Sequence, residues 1–172
     1  MNPTSSPTPP SLFDILAHVP VWVWAILILI IVLGGQQSRE QLVGRARLLI
    51  LPAVWLVFGA WGVAASFGLN AAAALAWAGG LALSALAVRR LGWPGRTTFL
   101  AAQAKFRVPG SWGPLTLMLS LFAAKFALGT SLALHPDWAA RLPVAAGFSL
   151  LFGLLGGAFV GRALNILARS RA

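Results

Sequence analysis

Five apolar stretches of about twenty residues divide this chain, separated by short basic or turn-forming segments. A helix rises about 1.5 Å per residue, so crossing a hydrocarbon core of about 30 Å takes about 20 mainly apolar residues. The spacing therefore predicts an all-α integral membrane protein, a bundle of five transmembrane helices over residues 17–35, 48–67, 70–88, 113–134 and 143–163. Composition agrees: 59% of the residues are hydrophobic and 9% charged, against about 25% charged in a soluble domain. Residues 15–172 are then a single membrane domain behind a Pro-, Ser- and Thr-rich segment, 1–14, expected to be a disordered tail. That tail carries no Lys or Arg, unlike a signal-peptide n-region, so the first helix is expected to be retained.

Local punctuation supports these boundaries. Pro20, Pro114 and Pro143 suit first turns, where a missing N–H leaves nothing unsatisfied. Pro52 lies inside the second span and predicts a tilt or kink there. Between the second and third spans, Gly68 can end one helix and Asn70 can cap the next, which makes a tight helical hairpin. Ser111 is a candidate cap for the fourth helix, and Trp22 and Trp24 suit an interfacial belt. The longest connection, 89–112, is a short loop or small hairpin between the third and fourth helices. Its alternation Lys105, Phe106, Arg107, Val108 fits a strand ending at Pro109-Gly110. It fits equally an interfacial amphipathic segment resting on Phe99, Phe106 and Trp112.

The net charge is +10, and eleven of the thirteen Lys and Arg residues fall on one side of a five-helix arrangement. They are Arg39, Arg45 and Arg47; Arg89, Arg90, Arg96, Lys105 and Arg107; and Arg162, Arg169 and Arg171. The other side has Arg141, and Lys125 lies within a span. Excess Lys and Arg mark cytoplasmic loops, so the N-terminus is expected outside and the C-terminus in the cytoplasm. Bases grouped this way form no continuous face for nucleic acid, which is not an expected partner. Cysteine is absent, which excludes disulfides, thiolate nucleophiles and Cys-ligated metal.

Two features carry candidate function. Along the fifth helix, Ser149, Gly153, Gly157 and Gly161 recur every fourth residue and form a small-residue row, with a weaker counterpart in Ala72, Ala76, Gly80 and Ser84. Such rows let helix backbones approach closely, either within one chain or between copies as a homo-oligomer. The second feature is Lys125, a charge in the middle of an apolar span, where ionisable residues are costly and commonly functional. The chain's three acids are Asp14, Glu40 and Asp137, none inside a span, so Lys125 has no intramembrane carboxylate to pair with. Its amine can snorkel outward, bond to Ser149 or a backbone carbonyl, or line a wet cavity. Asp14, His18, Asn70, His135 and Asp137 fall on the same side and complete a candidate polar site. His18 and His135 could hold haem or a metal, but both adjoin prolines at helix boundaries and lack supporting ligands, so no cofactor is expected. Neither a nucleophile–base–acid pattern, nor paired intramembrane carboxylates, nor a phosphate loop is present.

Four segments together carry a family resemblance: "HVPVWVWAIL" at 18–27, "VPGSWGPLTLM" at 108–118, "FAAKFALG" at 122–129 and "GRAL" at 161–164. They resemble a family of small uncharacterised bacterial inner-membrane proteins with an aromatic-rich first helix and a Pro-Gly-Ser-Trp entry to a helix bearing a basic residue. The resemblance runs from His18 onward, leaves out the tail, and implies a bacterial cytoplasmic-membrane address without an activity. The expected role is that of a structural or interaction component contacting lipids, itself or a membrane partner. A small transporter or channel component with Lys125 in an outward-facing polar cavity is the alternative. A haem- or metal-binding protein using His18 and His135 is the third reading.

Overall fold

The computed structural model describes residues 19–170. The tail 1–14, His18 and Arg171 lie outside the described residues. Five helices follow the predicted spans: α1 Val21–Gln36, α2 Arg45–Phe67, α3 Ala71–Leu91, α4 Gly113–Leu134 and α5 Leu142–Ala168. Four of them, α2 to α5, are long and apolar enough to cross a membrane. Helix α1 has 16 residues, an axial length of about 24 Å. Large apolar side chains cover the outward faces, among them Leu75, Val57 and Leu83. Water disfavours such a surface and hydrocarbon accepts it.

Several punctuation residues act where expected, although the residue before α4 is Trp112 and not Ser111. Asn70 Oδ1 accepts from the Ala72 and Ala73 amides at 2.9 and 3.2 Å, capping α3. Gly68 closes α2 with φ +68°, a conformation that favours glycine. Pro114 and Pro143 lie in first turns, whereas Pro20 precedes α1 as an extended residue. Two boundaries move. Helix α2 begins at Arg45, which places Pro52 deeper inside it, and α5 continues past the predicted end at 163 to Ala168, which places Arg162 more than a turn from its C-terminus.

The all-α reading needs one amendment. Three short strands, β1 Gln41–Gly44, β2 Thr98–Leu100 and β3 Lys105–Val108, form an antiparallel sheet in the order β1-β3-β2. The alternation at 105–108 is thus a strand: Phe106 and Val108 are buried while Lys105 and Arg107 are exposed. Phe106 packs on Phe99 across the β2–β3 pair, with ring centroids 4.9 Å apart, so the interfacial-segment alternative is set aside for both. Trp112, beyond the sheet, does remain exposed. The partner strand Gln41–Gly44 has too few residues to declare itself by periodicity. Its pairing of Val43 with Phe106 supplies the reason it is extended. Val43, Phe106 and Val108 join Leu48 and Ile166 in a core beneath the helix ends.

The "PGSWGP" segment is the junction between this sheet and α4. A Cβ on Gly110 would overlap the Ser38 carbonyl, and one on Gly113 would overlap the Trp93 ring. Ser111 donates its amide to Gln37 O at 2.9 Å and accepts from Gly113 N at 3.1 Å. Glycine at 110 and 113 therefore lets three connections meet at one point.

Helices α3 and α5 form the closest helix pair. Gly153, Gly157 and Gly161 of the predicted row face Trp77, Leu81 and Ala85, and a Cβ on any of them would meet α3 backbone. On the α3 side Gly80 faces Leu150 O in the same way. Within the chain the row is filled by α3.

Candidate functional site

Lys125 lines a cleft of about 850 Å³ enclosed by α1, α2, α4 and α5. Its Nζ lies 4.2 Å from the centroid of the Phe152 ring. Gly62 of α2 stands beside the amine and leaves the space that any side chain would fill. The side chain thus reaches across the bundle interior rather than along its own helix toward the end. A cation over a ring face gains about 2 kcal/mol when desolvated. Beyond Lys125 and Thr130 the lining is apolar, with Ile26, Ile30, Phe58, Leu121 and Phe126. Trp55 also lines the cleft and stacks on Phe159 at 5.8 Å, and its buried Nε1 has no hydrogen-bond partner among the described residues.

Of the predicted polar constellation, Ser149, Asn70, His135 and Asp137 are not assembled around Lys125, and Asp14 and His18 lie outside the described residues. Ser149 is fully buried at the head of the α5 row and its hydroxyl makes no hydrogen bond among the described residues. Asn70 is occupied as the α3 cap. His135 stacks on Trp138 at 4.8 Å, and Asp137 accepts from Arg141 at 2.7 Å on the exposed turn between α4 and α5. None of these lines the cleft. The described surroundings of Lys125 are therefore mostly apolar rather than the expected polar cavity: Asn70, His135 and Asp137 are engaged at helix ends, and Ser149 is buried in the α5 row. Among the described residues no group of three or more His, Cys, Asp or Glu is placed to hold a metal.

A second pocket, of about 270 Å³, lies at the basic end and was not foreseen. It is lined by Arg39, Arg47 and Arg162 together with Gln37 and Gln41, above an apolar floor that includes Leu51, Val54, Met118 and Phe159. Arg162 is 9% exposed and its guanidinium lies 5.3 Å from the Trp93 ring centroid. Asn165, one turn on, donates to both Val88 O and Trp93 O at 2.9 Å and fixes that loop over α5. The sequence did carry a signal: Arg162 directly follows Gly161 within an unbroken helical period. By spacing alone it is one more positive charge near a helix end.

No curated protein and no solved structure matches this chain. The family match begins at residue 3 and so takes in most of the Pro- and Thr-rich tail, which the resemblance in the sequence had left out. The chain belongs to the family of unknown function DUF6622, whose family model matches residues 3–172.

Proposed function

We propose that this is a five-span protein of the bacterial cytoplasmic membrane, N-terminus outside, that acts by binding an anionic amphiphile rather than by catalysis. The observation that carries the reading is an ammonium, Lys125, with no acidic partner among the described residues, in a cleft whose lining is otherwise almost wholly apolar. An acyl chain suits the walls, and a carboxylate headgroup supplies the counter-charge that no acid of a span provides. The cleft volume falls within the range of about 300–1,000 Å³ that small-molecule sites occupy. For α1, the support is its register with α4. Gly34 meets Leu115 at one end, and Val19, Pro20 and Trp22 share the cleft with Ala133 and Leu134 at the other. Helix α1, with 16 residues against 22 in α4, runs beside much of α4, which supports α1 as a fifth span.

The test is a titration of the purified chain in non-ionic detergent with a long-chain fatty acid, read by native mass spectrometry. Saturable binding that Lys125→Met abolishes while thermal unfolding is retained supports the reading. Equal binding by the variant ends it. One observation favours a transport component as a second reading: Val54 lines both the Lys125 cleft and the arginine pocket, so the two cavities adjoin along α2. Reconstituted vesicles that show no flux of the amphiphile leave binding alone.

A further inference from the structure

The pocket at the basic end is separate from the Lys125 cleft in its chemistry. Arg39 and Arg47 are exposed cations of the kind expected on a cytoplasmic face. Arg162 is different: it is buried within a helix, and its Nε has no hydrogen-bond partner among the described residues. The ion pairs formed among those residues, Arg107–Glu40 and Arg141–Asp137, do not involve it, and the pocket lining contains no carboxylate. Trp93 covers one flat face of the guanidinium. A ring face leaves the in-plane Nε–H unanswered, and a buried cation short of acceptors is costly. An anion with several acceptor oxygens removes that cost, and phosphate oxygens match the arginine fork. Gln41 at the same mouth adds a neutral polar group. The floor, with Val54, Met118 and Phe159, offers nothing to a wholly water-soluble anion and suits hydrocarbon.

We infer that this pocket binds the phosphate group of an anionic phospholipid, with Arg39, Arg47 and Arg162 on its oxygens and the start of an acyl chain against Val54. The shared chemistry is a phosphate anion, and lipid and free phosphate are separated by experiment. The full chain carrying Lys125→Met, so that the cleft makes no ionic contribution, is titrated in non-ionic detergent with phosphatidylglycerol, phosphatidylcholine or inorganic phosphate. Bound copies are counted by native mass spectrometry and the thermal midpoint is followed in parallel. The expected result is selective retention of phosphatidylglycerol with a raised midpoint, and a loss of affinity of about tenfold in Arg39→Gln/Arg47→Gln, since hydrogen bonds to charged groups are individually strong. Those two residues are exposed, so this variant keeps its fold where Arg162→Met could lose it. The control pair Arg89→Gln/Arg90→Gln lies outside the pocket and retains the effect. A matching midpoint shift with inorganic phosphate alone supports the phosphate site and overturns the lipid source. Equal loss in the control pair, or no difference between the two lipids and no response to phosphate, overturns the site itself.

Discussion

The Lys125 ammonium and the Phe152 ring face each other at 4.2 Å across the contact between α4 and α5. This pairing answers a charge in the span with the negative face of an aromatic quadrupole rather than with an acid. It also holds the amine at the cleft instead of letting it extend to the bilayer surface.

A double-mutant cycle measures that pairing. Phe152→Leu, Lys125→Met and the combination should give a coupling of about 0.5–2 kcal/mol in detergent unfolding. Additive effects would mean that the ring and the amine are neighbours without an energetic link.

The α3–α5 contact predicts opposite results at two glycines of one helix. A Cβ on Gly157 would overlap Leu81 backbone, whereas one on Gly147 meets nothing within 4 Å. Gly157→Ala should destabilise by about 1–3 kcal/mol through overpacking. Gly147→Ala should be neutral or stabilising by up to about 1 kcal/mol. Thermal unfolding of the two variants side by side checks the contrast, and size-exclusion should show no change of oligomeric state for either.

The small sheet gives a similar contrast. Phe106 is 0% exposed, so Phe106→Ala should cost about 3–5 kcal/mol. Its neighbour Arg107 pairs with Glu40 at 3.4 Å with both side chains more than half exposed. Arg107→Ala should therefore change stability by no more than about 1 kcal/mol. A large effect at Arg107 with a small one at Phe106 would mean that the strand register is shifted by one residue.

Membrane topology can be read directly, because the chain has no native cysteine. Single cysteines at Val19 and Asp137 should react with an impermeant maleimide in intact cells, and one at Arg96 should react only after permeabilisation. Labelling of Val19→Cys on the Arg96 side would leave α2 to α5 as the spans and place α1 along one face.

Helices whose partners are lipid or near neighbours in sequence were legible in advance. An apolar run declares a span wherever it packs, and Asn70 caps α3 through amides two and three residues away. The row Gly153, Gly157, Gly161 was also visible, since a helix period places those residues on one face. Which helix fills the row was not, because several spans offer small residues and only the folded backbone brings Leu81 there.

The sequence by itself determined the apolar helices, their order, the uneven distribution of the loop charges and the isolation of Lys125 from any acid within those helices. Those properties follow from residue type and helical spacing over a few turns. Tertiary structure decided which polar groups meet. It sent Asn70, His135 and Asp137 to local partners at helix ends, set Lys125 on Phe152, and drew Gln41–Gly44 from a basic loop into the sheet with Phe106. It also turned Arg162 from one positive charge among eleven into a buried cation facing a pocket. The physical reason is common to all of these. Covalent spacing fixes contacts within a helix, whereas contacts between helices depend on which rows of side chains interlock.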